Sequence, residues 1–148
     1  MKAALFCLVF VAAILDVVAG AENPDVVIES SSYLVIRNGS QFYPAETKMT
    51  CFFPEYPDEA LTTMLWRYRE LFSDEAELKP ACLITGSPFC QVSGVKVDGS
   101  SLTIDHAKFQ LNSTLIWNCL LLSTDLKKLP GQSESPLFFV DISEVRSC

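Results

Sequence analysis

Apolar and polar residues alternate with a period of two over much of the C-terminal half of this chain. Val95 and Val97 occupy alternate positions before the turn Asp98-Gly99. Leu102 and Ile104 alternate in the same way after it. Asp-Gly between two alternating runs is a strong signal for a β-hairpin. The pattern therefore predicts two paired strands in this region.

Two more strands are predicted towards the C-terminus. Residues 115–122 form an apolar run in which Trp117 and Cys119 share one face. Pro130-Gly131 then marks a loop. Alternate apolar positions indicate one face of a last strand: Phe138, Val140 and Ile142.

The N-terminal half contains shorter runs of the same kind. Residues 25–37 hold two apolar patches separated by serines, which suits two short strands or one broken edge strand. Asn38-Gly39 is a strong turn signal. Residues 48–53 are typical of a strand that Pro54 ends.

Residues 58–72 fit two periodicities. Met64, Trp66 and Tyr68 alternate with more polar positions, as in a half-buried strand. A helical stripe is also present: Leu61, Leu65, Tyr68 and Phe72. We favour the strand, because the neighbouring segments on both sides are predicted to be β.

Two cysteines flank a predicted tight reversal of the chain. Gly86, Ser87 and Pro88 lie between Cys82 and Cys90, and all three are common turn residues. A disulfide across such a hairpin is geometrically easy. We therefore predict a Cys82–Cys90 bond that closes a hairpin.

The N-terminus has the features of a secretory signal peptide. Lys2 precedes the apolar run 5–15, and the small residues 19–21 form a cleavage site. The apolar run is too short to span a bilayer of about 30 Å. We predict a signal peptide at 1–21, a single β-sandwich domain at 22–148, and a secreted protein with no membrane-spanning segment.

The charge of the chain restricts its partners. Its formal net charge is −7 over 148 residues. Binding to nucleic acid depends on clustered Lys and Arg side chains that neutralise phosphates, so this acidity argues against a nucleic-acid partner.

Cysteine usage fits an oxidising compartment. Of six cysteines, Cys7 lies in the predicted signal peptide, which leaves an odd number in the mature chain. Cys148, the last residue, is the natural unpaired one, and it could link two chains in a dimer. No Cys-x-x-Cys motif occurs and the chain has one histidine, so we predict no metal site and no cofactor.

Catalytic motifs are absent from the sequence. The single histidine, His106, has no acid-base motif around it, and we interpret it as a surface turn residue. Gly-x-Ser-x-Gly and glycine-rich phosphate loops do not occur. The sequence thus predicts a binding protein with no catalytic residue.

Two glycosylation acceptors accompany the signal peptide. Asn38-Gly39-Ser40 and Asn112-Ser113-Thr114 both match the Asn-x-Ser/Thr pattern. We predict that glycans at Asn38 or Asn112 lie on the surface.

Several stretches together resemble the ML family of lipid-recognition proteins. The corresponding stretches are Tyr33 to Ser40, Met49 to Pro54, Cys82 to Gly94, Leu115 to Leu122 and Leu137 to Ile142. Tyr33 stands where the family usually has a cysteine, as does Phe138 or Phe139.

The resemblance implies a secreted immunoglobulin-like sandwich that holds a lipid or other apolar ligand between its two sheets. Inward-facing apolar side chains would line the ligand pocket: Phe52, Met64, Trp66, Leu102, Ile104, Trp117, Phe138, Val140 and Ile142. An acyl chain buried there would gain about 0.8 kcal/mol per methylene group.

An ordinary immunoglobulin-like domain is the alternative. Cys51, Trp66 and Cys119 follow the order Cys, Trp, Cys of an inter-sheet disulfide packed on a buried tryptophan. In this interpretation the sandwich is filled, and its loops or an edge strand bind a protein receptor, as in an adhesion or immune-modulating module. Both interpretations predict an all-β, two-layer, disulfide-stapled sandwich, and both allow a Cys51–Cys119 bond.

Overall fold

The computed structural model describes residues 26–52, 63–74, 77–85, 87–122 and 128–145. The predicted signal peptide and Cys148 lie outside this part of the chain. Most of the described residues are in strands, which form two sheets.

The strands and short helices are numbered here in chain order. The strands are β1 Val27–Ser30, β2 Leu34–Asn38, β3 Gln41–Tyr43, β4 Glu46–Phe52, β5 Thr63–Glu70, β6 Lys79–Ile84, β7 Phe89–Cys90, β8 Val95–Asp98, β9 Ser101–Asp105, β10 Leu115–Leu122 and β11 Lys128–Asp141. The helices are α1 His106–Phe109 and α2 Ile142–Val145.

The two sheets differ in size. The smaller has the strand order β1-β4-β9-β8, and the larger has the order β3-β2-β11-β10-β5-β6-β7. All pairings are antiparallel except that of β2 with β11, which is parallel. The two strands expected in 25–37 are present, and they belong to different sheets, so the chain crosses the sandwich between Ser30 and Leu34.

Strand β5 confirms the β interpretation of 58–72 from Thr63 to Glu70. Residues 58–62 lie outside the described part. The hairpin of β8 and β9 is also confirmed, and its turn residue Gly99 has a φ of +59°, which glycine adopts without steric cost. The loop expected at Pro130-Gly131 is wrong, because both residues lie within β11.

Two disulfides staple the sandwich. Cys51 of β4 is bonded to Cys119 of β10, which joins the two sheets. Trp66 of β5 lies directly opposite Cys119 in the strand register and is fully buried. Cys82 and Cys90 are bonded across the β6–β7 pair, as predicted.

This connectivity matches an immunoglobulin-like sandwich of variable type. In that arrangement four strands form one sheet, and the second sheet carries two additional strands beyond the central ones. Here β6 and β7 are those additional strands, and the disulfide links the second strand of the small sheet to the central strand β10. The core lies between the sheets.

Gly94 permits a close approach in the segment that leads into β8. Its φ is +85°, and a Cβ placed on it would lie 2.3 Å from the backbone nitrogen of Phe109 in α1. The Gly94 carbonyl also accepts a hydrogen bond from the Asp105 amide at 2.8 Å. A side chain at this position would therefore push α1 away from the sheet.

Candidate functional site

Five of the predicted pocket residues meet between the sheets. Each is at most 6% exposed and belongs to one continuous core: Met64, Trp66, Leu102, Ile104 and Trp117. The ring of Trp117 packs against the rings of Tyr68 and Phe109 in tilted arrangements, with centroids 5.1 and 5.7 Å apart. These side chains pack against one another and fill the space where a ligand was expected.

Four predicted pocket residues lie elsewhere. Phe52 is 43% exposed on the outward side of β4, because the disulfide fixes its neighbour Cys51 inward and strand side chains alternate. Phe138 and Val140 face outward for the same reason, since Leu137 between the sheets is fully buried. Ile142 lies in α2 instead of the last strand.

Two cavities lined by described residues lie at the surface. One, of about 390 Å³, lies where β5 ends and β10 begins, and its lining includes Arg69, Glu77 and Lys79. The other, of about 240 Å³, is lined by residues such as Lys96 and Asp105. None of the nine predicted pocket residues lines either cavity.

We call the outward side of the large sheet the large-sheet face. Many of its side chains are apolar. An antiparallel sheet with one solvated side normally places polar residues there. Strand β10 departs from this pattern, because its outward-pointing residues Ile116 and Leu120 are apolar. Both are buried, and neither belongs to the core between the sheets.

One apolar row crosses four strands of the large-sheet face. The register places Leu120 of β10 beside Leu65 of β5, Leu65 beside Leu83 of β6, and Leu83 beside Phe89 of β7. Leu65 and Leu83 are half-buried, and Phe89 is 63% exposed. We call these four residues the apolar row.

A second apolar cluster lies at the other side of the same face. It consists of Leu34, Ile36, Tyr43, Phe138 and Val140 from strands β2, β3 and β11. Leu34 is 46% exposed and Tyr43 is 53% exposed, while the remaining three are half-buried.

Polar side chains separate the two apolar regions. The buried Asn118 of β10 accepts hydrogen bonds from Nε and Nη2 of Arg67 at 3.1 and 2.8 Å, and it donates to the Ser133 carbonyl at 3.2 Å. Glu134 of β11 pairs with Asn118 from the other side. Desolvation lowers the pKa of Arg67, which the charge of Glu134 opposes, and the guanidinium stays charged at neutral pH.

The outward side of the small sheet follows the usual rule. Polar and charged side chains occupy it along all four strands: Glu29, Glu46, Lys48, Thr50, Lys96, Asp98, Ser101, Thr103 and Asp105. Val27 and Phe52, a cross-strand pair at one end, are the apolar exception. The two outward sides of the sandwich thus differ in chemical character.

His106 is buried, so its interpretation as a surface turn residue is wrong. Its side chain is 0% exposed, and its Nε2 forms a 2.8 Å hydrogen bond with the Thr47 hydroxyl. Thr47 also bonds to the Ser32 hydroxyl at 2.8 Å, and the ring of Phe42 lies 6.2 Å from the imidazole. Burial lowers the pKa of His106 to about 4, against a smaller raising effect of Asp105.

Both glycosylation acceptors are exposed. Asn38 ends β2, and Asn112 lies in the connection between α1 and β10. Within the described ranges, His, Cys, Asp and Glu side chains form no group of three that could hold a metal ion. The helices described here are too short to cross a membrane.

Comparison with known proteins yields a distant structural likeness. No protein family matches the chain, and no curated protein matches it. Among solved structures, murine CRIg is similar to this chain with a TM-score of 0.44 and 9% sequence identity, over 78% of this chain and 97% of that one. Likeness at this level carries no conclusion about activity.

Proposed function

We propose that this protein is a secreted, non-enzymatic recognition module that binds another protein through the large-sheet face. The observation that supports this most is the contrast between its two outward sides. One side is charged and polar, as solvent requires, whereas the other presents two apolar regions around a small polar centre. Leu34, Tyr43 and Phe89 are exposed on that side, and exposed apolar side chains on one face favour an interaction site.

The composition of the large-sheet face is that of a protein interface. Interfaces combine aromatic and aliphatic contacts with Arg and a few hydrogen-bonding groups, and they are poor in Lys and Asp. Here Phe89 and Tyr43 provide exposed aromatic rings, and Arg67 is held by Asn118 in a fixed position. A guanidinium that is already ordered loses little conformational entropy when a partner binds.

Secretion is part of the proposal. Two disulfides are present, Cys51–Cys119 and Cys82–Cys90, and such bonds persist in oxidising compartments. The signal-peptide pattern at 1–21 and the exposed Asn38 and Asn112 fit the same route.

Storage of a lipid between the sheets is the second candidate, and the packing argues against it. The five inward predicted residues fill the interior, so a ligand would have to separate the sheets against the Cys51–Cys119 bond. Native mass spectrometry of the protein from its natural source separates the two. We expect a mass without bound lipid, and retention of an acyl lipid would favour the pocket.

A pair of matched variants tests the recognition proposal. Phe89→Ser removes an exposed ring from the large-sheet face, and Phe52→Ser removes an exposed ring from the small sheet. The readout is cross-linking of tagged protein to extracellular proteins of its source tissue. We expect Phe89→Ser to abolish a cross-linked species that Phe52→Ser leaves intact; equal behaviour of the two variants would contradict the proposal.

A further inference from the structure

We infer that the first sugars of an N-linked glycan on Asn112 lie in the cavity of about 390 Å³ where β5 ends and β10 begins. The glycan would cover aromatic rings that line this cavity. The inference rests on the secretory route of the proposed function and does not involve the large-sheet face. It is drawn from the position of Asn112, which is exposed and is itself part of the cavity lining.

Attachment of the glycan needs a lipid-linked oligosaccharide, which the secretory pathway supplies. The side-chain amide nitrogen of Asn112 forms a bond to the first sugar carbon of this donor. The lipid pyrophosphate leaves with the electrons of the broken bond, and the amide proton is released to solvent. The product at this position is uncharged and rich in hydroxyl groups.

Asn112 lies on a short connection that is fixed at both ends. On one side, Gln110 ends α1 in the left-handed conformation with a φ of +57°, and the next residue, Leu111, is buried. On the other side, the Thr114 carbonyl accepts a hydrogen bond from the Leu71 amide at 3.0 Å. The backbone therefore holds Asn112 at the cavity.

An aromatic ring is available beside the attachment point. Phe109 precedes Asn112 by three residues, lines the same cavity and is half-buried. Its ring packs against Trp117 and meets Tyr68 edge to face, with centroids 5.7 and 5.6 Å away. The C–H groups of a sugar carry partial positive charge and pack on the negative face of such a ring. Because the ring of Phe109 is already held, it loses little conformational entropy in that contact.

The charged residues of the lining fit a neutral, hydroxyl-rich ligand. Arg69 and Lys79 are balanced by Glu70 and Glu77, so these four residues contribute no net charge. An ionic ligand would meet like charges in such a lining, at a cost in affinity. Sugar hydroxyl and acetamide groups both donate and accept hydrogen bonds, and they can use side chains of either sign.

Size and tethering are compatible with a seated glycan. The cavity volume is within the range of small-molecule sites, about 300–1,000 Å³. A covalently attached sugar also has an effective concentration on the order of millimolar. Contacts too weak to retain a free sugar therefore suffice to hold one that is attached at Asn112.

Asn38 provides the comparison within the same chain. It ends β2 beside Gly39, where an added Cβ would meet no atom within 4 Å. It lines neither of the two cavities described above. The residue three positions before it, Val35, is fully buried and has no ring. A glycan on Asn38 has no comparable seat.

Hydroxyl-radical footprinting of protein secreted by eukaryotic cells locates the glycan. Mass spectrometry first establishes that Asn112 is modified, and wild type and Asn112→Gln are then labelled under the same conditions. We expect oxidation of Phe109 and Tyr68 to be severalfold slower in the wild type, whereas Phe52 of the small sheet should be oxidised equally in both. Asn38→Gln should leave the rates of all three residues as in the wild type.

Thermal unfolding measures the same contact. Asn112→Gln should lower the Tm by about 2–4 °C, and Asn38→Gln should change it by less than about 1 °C. Both variants made in the bacterial periplasm, where disulfides form but these asparagines receive no glycan, should match the wild type made there. This control separates loss of the sugar from loss of the asparagine side chain.

Phe109→Leu tests the ring itself. The substitution keeps an apolar side chain against the core and removes the aromatic face. In this background, the Tm difference caused by Asn112→Gln should become smaller. An undiminished difference would show that the sugar does not lie on Phe109.

Three further results would overturn the seat of the glycan. They are an unmodified Asn112 in the secreted protein, equal oxidation of Phe109 in wild type and Asn112→Gln, and equal Tm changes for Asn112→Gln and Asn38→Gln. None of them affects the recognition face, which Phe89→Ser and Phe52→Ser test. A chain that is not exported and carries no glycan would contradict the secretory route of the proposed function as well.

Discussion

The two outward sides of this sandwich belong to strands with the same alternation of side chains, yet they differ in chemical character. On the small sheet, Lys48 and Thr103 are typical of the outward positions. On the large sheet, the equivalent positions of the central strand are Ile116 and Leu120. Ile116 and Leu120 are only 5% exposed and are buried within the fold, whereas the exposed apolar side chains of the large-sheet face include Tyr43 on β3 and Phe89 on β7, the two edge strands.

The inward sides, in contrast, resemble each other. Met49 and Leu102 from the small sheet meet Trp66 and Trp117 from the large sheet in one core, and all four are fully buried. The difference between the sheets is thus confined to the surface. Substitutions that distinguish inward from outward positions test it.

The largest effect is expected from neighbours on β11. Leu137 is fully buried, whereas Phe138 is half-buried on the large-sheet face. Leu137→Ala should lower the free energy of unfolding by about 2–5 kcal/mol through lost burial and a cavity. Phe138→Ala should cost only about 1 kcal/mol. Urea unfolding of the monomer measures both, and equal costs would mean that the outward apolar residues serve the fold.

Acidification tests the interior beneath the small sheet. The folded-state pKa of His106 is about 4, below its unfolded value of about 6.5, so the unfolded chain binds the proton more readily. The contribution of neutral His106 to the free energy of unfolding is therefore complete above pH 6.5. It is lost as the pH falls towards 4, and the loss is at most about 3 kcal/mol. Thermal unfolding across this range measures the loss.

The control for this effect is His106→Gln, which does not titrate and keeps a hydrogen-bonding group near Thr47. Its stability should vary less between pH 6.5 and 4 than that of the wild type. An identical pH profile in the two proteins would show that another group is responsible.

A smaller effect is expected where the chain enters β8 of the small sheet. Gly94→Ala introduces a Cβ against the backbone of α1 at a positive φ, and we expect it to cost about 1–3 kcal/mol. Gly39→Ala is the control, because that glycine also has a positive φ and has no atom within 4 Å of the added Cβ. If both substitutions lower the free energy of unfolding equally, the positive φ alone explains why residue 94 is a glycine.

The smallest effect is expected for the exposed rings themselves. Phe89→Ser and Phe52→Ser should each change the free energy of unfolding by about 0.5 kcal/mol or less, since both side chains are largely outside the core. Thermal unfolding of the two variants checks this. A large decrease in the free energy of unfolding of Phe89→Ser would show that the apolar row stabilises the fold. That result would contradict a role for the apolar row in binding.

Much of the fold could be predicted from the sequence because its signals are local. The hairpin staple between Cys82 and Cys90 and the turn at Asp98-Gly99 depend on residues close together in the chain. The Cys51–Cys119 bond spans 68 residues, and only its similarity to a known pattern suggested it. Each of these features was confirmed.

The side to which apolar residues point was harder to predict. In 137–140 every residue is apolar, so alternation leaves the inward positions undetermined, and the prediction that Phe138 and Val140 point inward is wrong. The prediction of a surface position for His106 is wrong because its polar sequence neighbours indicate a surface, while its partner Thr47 lies 59 residues away. The run of β10 from Leu115 to Leu122, interrupted only by Asn118, indicates that both sides of this strand are buried.

Hydroxyl-radical footprinting of the native complex tests the binding face most directly. The isolated monomer and the protein recovered in its extracellular complex would be labelled under the same conditions, and the oxidation rates of single residues compared by mass spectrometry. We predict slower oxidation of Phe89 and Tyr43 in the complex and unchanged oxidation of Phe52. Protection of Phe52, with Phe89 and Tyr43 labelled as in the monomer, would contradict the assignment of the large-sheet face.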